Sequence, residues 1–167
     1  AVGVKDLAGN ALAASRVWSF TTVADTTPPT VTAISPASGA TGVATSSAVT
    51  ATFSEAMNAS TISSSTFVLN SPTGPVTATV SYNASTFVAT LTPTVALAAS
   101  TTYTATVTGG AAGVKDLAGN ALAANRVWSF TTVAADTTPP TVTTISPASG
   151  ATGVAVSSTV TATFSEA

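Results

Sequence analysis

Cysteine and histidine are both absent from these 167 residues. Disulfides, thiolate or imidazole catalysis and the usual zinc sites all need one or the other, so each is excluded. Charge is scarce as well. Asp, Glu, Lys and Arg make up 6% of the chain, where a typical soluble domain has about a quarter. A net charge of -2 provides no basic footprint for nucleic acid. Apolar residues reach 45%, but they are mostly Ala and Val dispersed among Thr and Ser. No run approaches the roughly 18 consecutive apolar residues of a membrane span, so no membrane insertion is expected. No Ser, Lys or carboxylate has an evident activating neighbour, so the chain offers no nucleophile–base pair. No enzymatic activity and no required cofactor are expected.

What the chain does have is itself, repeated. Residues 1–24 align with 111–134, and 25–56 with 136–167; of these 56 paired positions five differ, at Val2/Ala112, Ser15/Asn125, Ala33/Thr144, Thr45/Val156 and Ala48/Thr159. A spacing near 110 residues is too long for a solenoid unit and matches a whole small domain. The expected organisation is therefore a window onto a tandem array. Residues 1–24 are the C-terminal part of one repeat, 25–135 a complete repeat, and 136–167 the N-terminal part of the next. Ala1 falls inside a repeat, so the start of the sequence says nothing about a leader peptide.

Period-two alternation marks the strands of the complete repeat. Val49, Ala51 and Phe53 share one face against Thr50 and Thr52; Val76, Ala78, Val80 and Tyr82 oppose Thr77, Thr79 and Ser81. Phe87, Ala89 and Leu91, then Tyr103, Ala105 and Val107, then Trp128 and Phe130 continue the pattern. With Thr30–Ser35 and Thr66–Leu69 this gives seven strands, separated by Pro-, Gly- and Asn-containing turns. No 3.6-residue periodicity is long enough for a major helix. Strands apolar on one face need a second sheet to cover them, so an all-β, two-sheet antiparallel sandwich is predicted. Leu97, six residues before Tyr103 at a strand start, has the spacing of a tyrosine corner.

Asp25-Thr-Thr-Pro-Pro-Thr-Val31, Pro36–Val43, Thr52–Met57, Leu97–Tyr103, Val114–Leu122 and Trp128-Ser-Phe-Thr-Thr132 together resemble the bacterial Ig-like domain found in tandem in S-layer proteins and large surface adhesins. The resemblance covers the complete repeat and both partial ones. It implies tandem seven-stranded Ig-like or fibronectin-III-like sandwiches on an exported protein, extracellular or at the bacterial cell surface, and it implies no catalysis.

Strand order fixes where the few charges fall. Asp25 opens the first strand, Glu55 lies in the loop after the second long strand, and Asp116 lies in the last loop, so all three should meet at the N-terminal pole. Three carboxylates beside a domain junction could take Ca2+, which prefers oxygen ligands. The alternative is turn chemistry: Asp116 and Asn120 hydrogen-bonding their own turn, and Glu55 pairing with Lys115. Trp18 and Trp128 each share a strand face with a Phe and read as core residues of a complete repeat, not as a sugar-stacking platform. In the partial repeats Trp18, Phe20, Val160 and Phe164 are expected to lack most of that core. Asn58-Ala-Ser60 and Asn83-Ala-Ser85 match glycosylation sequons.

The expected function is structural. Near-identical Ig-like repeats would set the length and stiffness of a fibre, stalk or surface layer. Their partners would be neighbouring repeats and other copies of the chain. A glycan- or receptor-binding adhesin module and an accessory domain of a large secreted enzyme are the alternatives.

Overall fold

Nine strands form between Val31 and Thr132 of the computed structural model, which describes residues 3–166. Ala1, Val2 and Ala167 of the flanking segments lie outside the described residues. The strands are β1 (Val31–Ser35), β2 (Ala40–Val43), β3 (Val49–Phe53), β4 (Phe67–Ser71), β5 (Gly74–Pro75), β6 (Ala78–Asn83), β7 (Val88–Pro93), β8 (Thr102–Val107) and β9 (Arg126–Thr132). They build a four-stranded sheet in the order β1-β3-β7-β6 and a five-stranded sheet in the order β2-β9-β8-β4-β5. All pairs are antiparallel except β2 with β9.

The seven-strand expectation is corrected to nine. The first predicted strand is followed by a second piece in the other sheet. After β1 the chain turns through Gly39, whose φ of 77° suits a residue without Cβ. It then joins the opposite sheet, where the Gly39 N–H donates to the Ser129 carbonyl at 2.7 Å and the Val133 N–H to the Val43 carbonyl at 2.8 Å. β5 is the second addition. Val76 still donates to the Leu69 carbonyl at 2.8 Å, so the chain changes sheets only after it, and the strand predicted from Val76 begins at Ala78.

Alternation places the core correctly. Val49, Phe53, Phe67, Leu91, Tyr103, Val107, Trp128 and Phe130 are buried, while Val80 and Phe87 are only partly covered. Val80 lies on a sheet edge, and Phe87 sits in a turn at φ 58°. Phe67 packs on Trp128 with ring centroids 6.0 Å apart, and Tyr103 stacks on Phe130 at 5.9 Å. Loop residues Met57, Leu97, Val114 and Leu122 close the ends. The tyrosine corner is present: the Tyr103 hydroxyl accepts from the Ala98 N–H at 2.8 Å. Buried Thr132 braces the same corner, donating to the Ala98 carbonyl at 2.6 Å and accepting from the Thr101 N–H at 3.0 Å.

The β8–β9 connection is tight. A Cβ on Gly109 would overlap the backbone of Ala124, and the Gly109 N–H is satisfied by the Asn125 Oδ1 at 2.9 Å.

The described residues contain one packed sandwich. In the C-terminal segment, β10 (Val142–Ser146) and β11 (Thr161–Phe164) pair with the register and the bulge of β1 and β3, yet Val142, Ile145, Val160 and Phe164 are exposed. Residues 16–22, twins of β9, form no strand. Trp18 and Phe20 are exposed, because the segment they belong to stands apart from the rest of its repeat. A lone copy of the final strand has neither β8 nor β2 to pair with.

Candidate acidic pole

Three chain segments meet at one end of the sandwich. The linker before β1 brings Asp25, the turn after β3 brings Glu55, and the β8–β9 loop brings Asp116. The loop is tied down by an isolated bridge between Met57 and Asp116 and by the Asn58 N–H donating to the Lys115 carbonyl at 2.9 Å. One carboxylate oxygen from each of Asp25, Glu55 and Asp116 lies within 4.8 Å of the others. The strand order therefore gathers the three acids anticipated from sequence.

Asp116 is 1% exposed and held by its own loop. Its carboxylate accepts from the Asn120 backbone N–H and from the Asn120 side-chain amide, both at 2.8 Å. Burial pushes its pKa up, but the bonds from Asn120 and from the Gly119 and Ala118 N–H groups outweigh that and leave it below the ordinary Asp value. Gly119, at φ 95°, makes the turn that aims those donors. The same clasp occurs at Asp6, which accepts from the Asn10 N–H at 2.8 Å and from the Asn10 amide at 2.9 Å. The loop thus forms without a surrounding sandwich, and the turn-capping part of the alternative reading holds.

Its other part does not. Glu55 is surrounded by acids rather than paired with Lys115. Burial, then the Asp25 and Asp116 carboxylates, raise its pKa, opposed by a hydrogen bond from Ser54. Asp25 accepts from the Thr27 N–H at 2.9 Å, and its carbonyl takes the Asn120 amide at 3.2 Å, which couples the linker to the loop. In the next segment Asp136 and Glu166 again lie together. Asp136 is held below its usual pKa by the Thr138 backbone and side chain and by Glu166.

Such a cluster of oxygens could hold a hard divalent cation such as Ca2+. Asp25 and Glu55 supply the more available carboxylates, since Asp116 already accepts bonds from Asn120. Every charged residue between 25 and 135, namely Asp25, Glu55, Lys115, Asp116 and Arg126, belongs to this pole or to the β9 strand start beside it. Apart from Arg126, the strands of both sheets and the opposite end carry no charge. Sequence reasoning missed Asn120 as the residue linking loop to linker; its place four residues after Asp116 was the available signal. The sequon asparagines are turn caps: Asn58 Oδ1 accepts from the Ser60 N–H at 3.1 Å, and Asn83 Oδ1 from the Ser85 N–H at 2.9 Å.

Solved structures of other proteins are similar to this chain. The S-layer protein rSbsC(31-844) is 20% identical with a TM-score of 0.47, over 70% of this chain and 15% of that one. CopC from Methylosinus trichosporium OB3b is 17% identical with a TM-score of 0.53, over 66% of this chain and 99% of that one. These identities speak to fold alone, and the chain spans only a small fraction of the S-layer protein. No curated protein sequence matches the chain. No helix among the described residues is long and apolar enough to cross a membrane. The model of one family, described as a bacterial Ig-like domain, matches residues 25–132 and again 136–167, and the chain belongs to that family.

Proposed function

We propose that this chain is a section of an extracellular bacterial shaft, in which tandem Ig-like sandwiches set reach and stiffness and perform no chemistry. The observation that carries the reading is the repeat itself. Segments on both sides of one complete sandwich reproduce its parts with five differences in 56 positions, as uniform junctions along a rod require. In this reading the domains run 1–24, 25–135 and 136–167, and the two partial ones are completed by other parts of the same array or by neighbouring chains. The Thr27-Pro28-Pro29 linker fixes φ and favours extended backbone, which limits bending between repeats. The Asn120–Asp25 bond ties that linker to the sandwich it enters.

The acidic pole lies at each junction, and we assign it a Ca2+-binding role there. Asp25, Glu55 and Asp116 would gain from a cation what they lose by mutual repulsion, and binding would stiffen the linker that carries Asp25. Extracellular calcium modules bind as weakly as the millimolar range. Surface glycans or receptors remain partners to be tested on the same array.

Electron microscopy of a protein with three consecutive complete repeats tests the shaft reading. Strands of seven residues rise about 23 Å, so a straight rod with one bead per repeat, somewhat under twice that spacing, is expected. Beads at random angles would exclude the stiff shaft and put a tethered adhesin module ahead.

A further inference from the structure

Each sheet has two edges, and three of the four are guarded. β1 is interrupted by a bulge between Val31 and Ala33 and lies between Pro29 and Pro36. β2 has four residues and an irregular register with β9. β5 has two residues, one of them Pro75. These are the usual devices against edge-to-edge pairing.

β6 has none of them. Its six residues carry no Pro and no charge, and they pair with β7 in unbroken register from Ala78↔Pro93 to Asn83↔Val88. The Thr94 N–H donates to the Thr77 carbonyl at 3.0 Å. Antiparallel parity then turns the backbone groups of Thr79, Ser81 and Asn83 toward β7 and those of Ala78, Val80 and Tyr82 toward the open side. The side chains of Ala78, Val80 and Tyr82 face the core but are only half-buried, while Thr79, Ser81 and Asn83 are exposed. Beside the strand a cavity of about 260 Å3 opens between the sheets, lined by Phe67, Leu69, Val76, Ala78 and Leu91.

We propose that β6 is a self-recognition edge. The β6 of a second copy of this chain pairs with it antiparallel across a two-fold axis, fusing two four-stranded sheets into one. A second copy fits because an antiparallel edge is complementary to itself under a two-fold, and because an uncharged strand meets no like charge in its twin. A register centred on Val80 bonds its outward N–H and C=O groups reciprocally. It sets Ser81 of each copy opposite Thr79 of the other, and it covers half-buried Val80 together with Ala78 at the cavity wall. The inference deepens the shaft reading, since one such edge per repeat would let two shafts pair side by side.

Sedimentation equilibrium of the 167-residue chain over a concentration series tests it. The unmodified protein should dimerise. Val80→Pro removes an outward N–H without touching the β6–β7 ladder and should weaken dimerisation roughly tenfold or more, because each change counts twice across the axis. Ser81→Lys and Ser81→Glu should each weaken it, and their equimolar mixture should recover it, because the two positions share a diagonal within reach of long side chains. Trp18→Ser with Phe20→Ser should leave dimerisation in place. A monomer at millimolar concentration, loss that follows Trp18 and Phe20 instead of β6, or no recovery in the mixture would overturn the proposal. Circular dichroism of each variant confirms a folded sandwich. Failure of the three-repeat protein to form a rod would sink the shaft reading while leaving β6 pairing intact.

Discussion

Trp18 and Trp128 are equivalent residues of one repeat, yet Trp18 is 75% exposed and Trp128 3%. The difference is made by partners. β9 lies between β8 and β2 and presses Trp128 onto Phe67, whereas the segment around Trp18 has no sheet to join. Removing partners from an unchanged strand sequence has converted a core residue into a surface one.

Truncating Trp128 should therefore be costly. Trp128→Ala is expected to destabilise the sandwich by about 3–5 kcal/mol in chemical denaturation. Trp128→Phe should cost clearly less, since the buried Nε1–H has no acceptor and its removal relieves an unsatisfied donor. Thr104→Ala, on the outward face of β8, should stay within about half a kcal/mol. Equal losses at 104 and 128 would contradict the observed register.

Tyr103→Phe isolates the tyrosine corner. It keeps the stack on Phe130 and leaves the Ala98 N–H without its acceptor at 2.8 Å. A loss of about 1–3 kcal/mol is expected, with no change in secondary structure by circular dichroism. A neutral result would show that water replaces the phenol at no cost.

The two buried-side acids at the pole should pull the pH profile in opposite directions. The folded pKa of Glu55 is raised, so its penalty is fully present above the folded value and is relieved as pH falls below the unfolded one. That of Asp116 is lowered, so its contribution is present above the unfolded value and lost as pH falls through the folded one. Glu55→Gln should then raise the melting temperature near neutral pH, and Asp116→Asn should lower it. Melting curves between roughly pH 3 and pH 7 would register both signs.

Calcium should reverse the ranking at Glu55. With the ion bound, the acidic cluster becomes an asset, so the unmodified protein should gain melting temperature on titration and Glu55→Gln should not. Small-angle scattering of the three-repeat protein should show its maximum dimension increase over the same titration. No response up to millimolar Ca2+ would leave the pole with turn capping alone.

Much of this was legible in the amino-acid order because the strands are half-buried, and half-burial writes itself as alternation. Val49–Phe53 and Tyr103–Val107 could hardly be read otherwise. The Asp25, Glu55 and Asp116 cluster followed from strand direction, since antiparallel order decides which loops share an end. What escaped notice has no period. β2 is defined by where the chain goes after Pro36, and β5 is a two-residue closure beside β4. The misplaced Glu55–Lys115 pair came from reasoning over neighbours in sequence, while packing set Glu55 among acids. Trp18 shows the limit of the pattern, because alternation reports what a strand would bury, not whether anything is there to bury it.

The Asn125–Gly109 hydrogen bond acquires another meaning when the repeats are considered as interchangeable parts. The segment holding Trp18 is a near-duplicate of the one holding Trp128, and from Gly3 to Ala24 it differs from its twin only where Ser15 stands for Asn125. A scaffold that closed with a neighbour's strand in place of its own would lose the amide acceptor for the Gly109 N–H, at a cost of about 1 kcal/mol. One side-chain difference thus lets the sandwich of residues 25–135 hold its own last strand by a bond that the copy around Trp18 does not offer.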